Sequence, residues 1–141
     1  MAKLKYYSVF LDGIDKAGKS TLVAYLARLS NYTLNIFDRG LITNIVWNKI
    51  QGREIEYDTE QWRNTVFIRL NVNKEDWKIR CSIYHEPDMP HSYEDMNHRY
   101  DEVFNEFNNN GFKVLEYNTS EMTQYEIAVD IINYLNHLNN N

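Results

Sequence analysis

Tyr6-Tyr7-Ser8-Val9-Phe10-Leu11 runs into Asp12-Gly13-Ile14-Asp15-Lys16-Ala17-Gly18-Lys19-Ser20, and then into Thr21-Leu22-Val23-Ala24-Tyr25-Leu26. The first run is apolar, β-branched and aromatic, which predicts a buried strand from Tyr6 to Leu11 stopped by Asp12-Gly13. Leu22, Leu26 and Leu29, with Ala24 and Ala27 between them, predict a helix from about Lys19 to Ser30. Between the two, Gly13 to Ser20 matches G-x-x-x-x-G-K-[ST] without exception, in the strand-to-helix setting that the pattern requires. Gly13 and Gly18 let the backbone wrap closely around an anion. The N–H groups of Asp15, Lys16, Ala17, Gly18, Lys19, Ser20 and Thr21, backed by the positive end of the helix, form a cradle for phosphates. Lys19 can reach the β- and γ-phosphates as a point charge, and the Ser20 hydroxyl can serve Mg²⁺.

Further along, strand and helix patterns alternate. Tyr32 to Phe37 reads as a second strand ending at Asp38-Arg39-Gly40, and Leu41 to Gln51 as a helix stopped by Gly52. Residues 54 to 64 are polar and read as a loop. Thr65 to Val72 is a strongly apolar third strand, followed by a short helix from Lys74 to about Ile83. Pro87 and Pro90 break the chain, Tyr93 to Phe107 is helical, Gly111 to Tyr117 is the last strand and Glu121 to Leu138 the last helix. Such alternation implies βαβ units, a mostly parallel sheet of four to five strands and a three-layer α/β/α sandwich. Ligands of these sheets bind beyond the carboxyl ends of the strands, where the glycine loop and Asp38-Arg39 both fall.

Composition narrows the function. The chain has 141 residues, the size of one domain, read as 1–138 with a frayed tail at 139–141. Its net charge of −5 argues against a general nucleic-acid binder, which needs a basic face. No apolar run nears the ~20 residues of a membrane span, and no signal-cleavage pattern follows the start. One cysteine, Cys81, excludes an internal disulfide and points to a reducing, cytoplasmic setting. His85, His91, His98 and His137 lack metal-ligand spacing.

The stretch from Phe10 to Leu22 resembles the phosphate loop of thymidylate kinases and related deoxynucleoside and nucleotide kinases. Asp38-Arg39 is similar to their Asp-Arg or Glu-Arg pair, and Asn118-Thr119-Ser120 to their adenine-side loop. Val72 to Arg80 looks like the strand and helix that lead into their lid, here residues 81–95. The resemblance implies a P-loop NTPase fold, ATP and Mg²⁺ as cofactors, and a nucleoside or nucleoside monophosphate as acceptor, with a homodimer left open. It puts Asp15 toward the acceptor sugar and Lys16 by the transferring phosphoryl group. Residues 81–95 hold no Lys or Arg, so Lys16 with Arg39 or Arg80 would supply the charge that phosphoryl transfer needs. Asp38 would orient the attacking hydroxyl or hold a Mg²⁺ water, and Arg39 would bind an acceptor phosphate.

Other readings stay open. Lys16 can be an exposed loop lysine, and Asp38-Arg39 a strand-end ion pair or helix cap. Trp47, Tyr57 and Trp62 are candidates to stack on a base, or simply core. The chain lacks one strand–helix step of those kinases and is short for them. Asn73-Lys74-Glu75-Asp76 matches the guanine signature of GTPases, but no Asp-x-x-Gly turn lies between Ser20 and Asn73. A GTP- or ATP-binding switch and a catalytically decayed nucleotide binder are the alternatives.

Overall fold

The computed structural model describes residues 5–14, 17–83 and 92–140. Among them the order is β1 (Ser8–Gly13), α1 (Lys19–Leu29), β2 (Asn35–Asp38), α2 (Leu41–Ile50), β3 (Thr65–Asn71), α3 (Lys74–Ile83), α4 (Tyr93–Asn109), β4 (Lys113–Asn118) and α5 (Gln124–Asn139). The strands form one all-parallel sheet in the order β2-β1-β3-β4. With helices on both faces this is the expected three-layer α/β/α sandwich, at the lower of the two strand numbers.

The central strands read as they do because both their faces are covered. Val9, Phe10 and Leu11 of β1 and Thr65 to Leu70 of β3 are buried without a break, the signature of interior parallel strands. Alternation along β1 sorts the layers. Phe10 and Phe67 face α4, where Phe67 meets Phe107 edge-on at 4.9 Å between centroids. Val9 and Leu11 point to the opposite layer, in which α1 packs on α5 through Leu22, Leu26, Ile127 and Ile131. Helices α2 and α4 pack together on the Phe10 side. Each buried side chain of this kind contributes about 1.5–3 kcal/mol by leaving water.

Strand β1 runs from Ser8 through Gly13 rather than from Tyr6 to Leu11, β4 begins at Lys113 rather than Gly111, and two further boundaries differ for a local reason. The second strand begins at Asn35, not Tyr32, because Asn31 (φ 54°) and Tyr32 (φ 60°) take left-handed conformations that close α1. There the Tyr32 N–H donates to the Ala27 carbonyl at 2.8 Å. The last helix begins at Gln124, not Glu121, because Thr123 and Glu126 form a reciprocal capping box. The end of the last helix is tied back to the start of the chain at Asn139. That residue closes α5, and its amide donates to the Tyr6 carbonyl (2.9 Å) and accepts from the Tyr6 N–H (2.8 Å). One side chain thus satisfies both backbone groups of Tyr6, just ahead of β1. Among the described residues no helix is long and apolar enough to cross a membrane.

Candidate functional site

Among the described residues, four of the five helix starts divide into two kinds. Helix α4 is capped by Ser92, whose hydroxyl accepts from the Asp95 N–H at 3.0 Å, and α5 by the Thr123 box. Helices α1 and α2 begin after Gly18 and Gly40, with no side-chain cap of their own. Both glycine starts lie at the carboxyl edge of the sheet, and each is used differently.

At α1 the loop after β1 bends because of its glycines. A Cβ on Gly13, at φ 149°, would stand 2.2 Å from the Leu70 carbonyl oxygen, so β1 reaches β3 only without a side chain there. Gly18, at φ 92°, is left-handed and stands at the N-cap of α1, where it offers no side-chain cap to the first turn of Lys19, Ser20 and Thr21. Ala17 is buried beneath the loop. The Lys19 ammonium folds back over it, donating to the carbonyls of Gly13 (3.0 Å) and Ile14 (3.4 Å), and the residue is only 7 % exposed. The start of a helix, with a lysine ammonium beside it, is a favourable place for an anion. Asp15 and Lys16, the carboxylate and second lysine expected here, lie outside the described residues.

At α2 the cap comes from β1. The buried Asp12 Oδ1 accepts from the N–H of Gly40 (2.8 Å), the N–H of Thr43 (3.0 Å) and the Thr43 hydroxyl (2.6 Å). Tyr100 on α4 donates in turn to the Thr43 hydroxyl oxygen at 3.2 Å. Burial pushes the Asp12 carboxyl above its ordinary range; the Thr43 and Gly40 bonds and the Lys19 charge pull it back only in part. Its second oxygen, Oδ2, is buried with no partner among the described residues. Sequence reading took Asp12 only as the end of a strand. Its signal was present, since a carboxylate on the last buried turn of a central strand must find donors.

The Asp38-Arg39 pair flanks this cap. Leu11 pairs with Asp38 and Phe10 with Phe37, so Asp38 shares the Leu11 face of the sheet, on the α1 side. It is exposed, at the same edge as Ser20 in the first turn of α1. Arg39 adopts φ 64°, a left-handed conformation costing a non-glycine residue about 1–2 kcal/mol. Two bonds hold it there: its own N–H to the Leu11 carbonyl at 3.0 Å, and the next N–H, of Gly40, to Asp12. Backbone strain of this kind gathers at functional sites.

On the far side of the loop, Arg80 of α3 donates to the Thr119 hydroxyl at 3.2 Å, which ties α3 to the end of β4. Asn118 donates to the Asn73 side-chain oxygen (2.8 Å), and Ser120 accepts from the Asn73 N–H (2.9 Å). The Asn73 carboxamide oxygen is therefore engaged within the protein. Gln124 closes against Gly18, its Nε2 2.7 Å from where a Cβ would stand. Arg99 pairs with Asp95 (3.2 Å) and His98 with Glu102 (3.0 Å). No cluster of three metal-ligating side chains exists among the described residues. Most of the lid-like segment, 84–91, lies outside them, with His85 and His91.

The three aromatic candidates separate. Tyr57 packs on Phe107 (5.0 Å) and donates to Glu106 (3.0 Å), away from the loop. Trp47 and Trp62 instead line one cleft of about 530 Å³ with Phe10, Phe37, Arg39, Thr43 and Asn44.

Strand β1, Gly13, Gly18 and helix α1 follow one another in the strand-to-helix order that the G-x-x-x-x-G-K-[ST] pattern requires, within an all-parallel α/β sheet. Among solved structures, the chain is similar to the YorR protein of Bacillus subtilis, whose crystal structure is a complex with phosphorylated GDP. The two share 20% identity with a TM-score of 0.70, over 92% of this chain and 95% of that one, a likeness that shows the fold. No protein-family model and no curated protein matches the chain.

Proposed function

We propose that the protein is a small kinase that transfers the γ-phosphoryl group of ATP to a nucleoside or nucleoside monophosphate. The observation that carries this reading is the start of α1: a left-handed Gly18 at the N-cap after β1, with the Lys19 ammonium folded onto the carbonyls of Gly13 and Ile14. YorR, of the same fold, was crystallised with phosphorylated GDP, which supports a nucleotide ligand and makes GTP a second donor to assay.

The chemistry is positioning and charge neutralisation. The N–H groups of the loop and of α1 hold the phosphates, and Lys19 follows the charge that builds on the transferring group. Ser20 and Asp38 offer the hard oxygen donors that Mg²⁺ takes, from one side of the sheet. Held by these two oxygens, Mg²⁺ would supply neutralisation of charge on the donor phosphates. Asp38 orients the acceptor hydroxyl or a metal-bound water, and Arg39, fixed by its backbone, holds an acceptor phosphate through a planar fork. Asp12 keeps α2, and with it Arg39, in place. Lys16 and Arg80 remain the sources of further charge that sequence proposes.

The GTPase alternative is less well supported, because the Asn73 oxygen is bonded to Asn118 rather than left to read a base. The test is ADP release from Mg-ATP against a panel of nucleosides and monophosphates, with Lys19→Ala as blank. Acceptor-dependent ADP upholds the kinase; nucleotide binding that no acceptor converts to turnover favours a switch or a decayed kinase.

A further inference from the structure

Arg69 of β3 is a buried cation, only 6 % exposed. It is the ladder partner of Asp12 across β3 and β1, and alternation from Phe67 and Phe10 turns both side chains toward α4. Its guanidinium is answered from one stripe of that helix. Nη1 donates to the Asp101 carboxylate, and Nη2 to the Asn97 carbonyl (3.3 Å) and Asn97 Oδ1 (3.4 Å). The fork also lies over the Phe104 ring, 5.6 Å from its centroid. Asn97, Asp101 and Phe104 follow one another at i, i+4 and i+7, so they share a face of α4, and Tyr100 lies on it at i+3.

An arginine in this place needs a reason. Its Nε is buried with no partner among the described residues, and a buried ion pair adds little stability over apolar side chains of the same size. What it adds is direction. Helix α4 is otherwise seated by Val103, Phe104 and Phe107, and apolar burial sets no orientation. A planar fork with fixed donors admits one height and one rotation of the helix. In that setting the Tyr100 hydroxyl, next to Asp101 in the chain, donates to the Thr43 hydroxyl oxygen at 3.2 Å. Thr43 donates in turn to Asp12 Oδ1 at 2.6 Å, the atom that also takes the Gly40 N–H. Turning α4 by one residue, about 100°, would carry Tyr100 off Thr43.

We propose that Arg69 and Tyr100 are positioning residues: through one face of α4 they hold the Asp12 cap of α2, and with it the left-handed turn at Arg39, in the arrangement that phosphoryl transfer uses. The last clause rests on the kinase reading; the hold on α2 does not. Both side chains act through Asp12 rather than on the phosphates.

The experiment is amide hydrogen exchange of the full chain, read at Gly40 and Thr43, whose N–H groups bond to Asp12, and at Ile127 of α5 as control. Arg69→Met fills the same space without the fork, and Asp101, its side chain 53 % exposed, turns to water. Tyr100→Phe removes a single oxygen and reads the same amides if Arg69→Met does not fold. Each variant speeds exchange at Gly40 and Thr43 by about three- to tenfold, the worth of one hydrogen bond, and leaves Ile127 unchanged. The double variant is no faster than Arg69→Met alone, because the two residues act in one chain of contacts. Unchanged exchange at Gly40 and Thr43, an equal rise at Ile127, or a double variant in which the two effects multiply overturns the proposal. In turnover each variant lowers kcat about tenfold and shifts the ATP KM less than about threefold. Faster exchange with a normal kcat overturns the positioning role. Exchange as expected in a protein that no acceptor turns over removes the kinase and keeps the hold on α2.

Discussion

Replacing Asp12 tests how the end of β1 holds the start of α2. In Asp12→Ala three donors lose their acceptor: two backbone N–H groups, of Gly40 and Thr43, and the Thr43 hydroxyl. At about 1 kcal/mol per stranded donor, and with release of a buried charge returning part, the net loss is about 2–3 kcal/mol. That is a large share of the ~5–15 kcal/mol by which such domains are stable. Asp12→Asn keeps an amide oxygen for the same donors and loses about 1 kcal/mol or less. The two variants also respond differently to pH. Burial raises the Asp12 carboxyl above its ordinary 3.8 in the fold. Its contribution is therefore whole below that ordinary value and is lost as pH rises through the raised one. Urea unfolding between pH 4 and pH 7 reads this directly, with the wild-type advantage over Asp12→Asn shrinking as pH rises. An advantage that grows with pH, or an Asp12→Ala protein within about 0.5 kcal/mol of wild type, refutes the reasoning.

Gly13→Ala forces a methyl group to within 2.2 Å of the Leu70 carbonyl oxygen at a φ closed to alanine. It costs about 3 kcal/mol or more by urea unfolding, and a wild-type midpoint would mean that β1 and β3 are less close than described. Asp38→Asn lowers kcat about a hundredfold while changing ATP affinity less than about threefold; near-normal turnover removes Asp38 from the chemistry. Asn139→Ala leaves both Tyr6 backbone groups without their amide and costs about 1–2 kcal/mol. Faster amide exchange at Tyr6 is the matching signature, and unchanged exchange would contradict the tie.

What was legible in the sequence was what local pattern determines. The apolar runs of β1 and β3 and the Leu22–Leu26 stripe of α1 each bury against covered layers, so their periodicity carries the fold. The glycine loop was legible because its backbone demands are written in residue type: Gly13 and Gly18 occupy positions that other residues cannot. What escaped was tertiary. Asp12 caps a helix 28 residues away in the chain, and no local spacing announces such a bond. Asn139 answers Tyr6 across 133 residues, so its place in an asparagine-rich tail disguised it. Trp47, Tyr57 and Trp62 were indistinguishable as aromatic residues, and only the packing of residues 51–64 sends Tyr57 to Glu106 and Trp62 to Phe10. The strain at Arg39 belongs with these, since a left-handed arginine is held by neighbours rather than chosen by propensity.

The central claim is that the phosphate loop serves phosphoryl transfer. Its most direct test is ADP formation from Mg-ATP, and from Mg-GTP in parallel, with each nucleoside and nucleoside monophosphate, comparing wild type with Lys19→Ala. The account predicts that ADP or GDP appears only with an acceptor and disappears in Lys19→Ala, while the urea midpoint of that variant stays at the wild-type value. Tight nucleotide binding without turnover for any acceptor, or a Lys19→Ala protein as active as wild type, would contradict it.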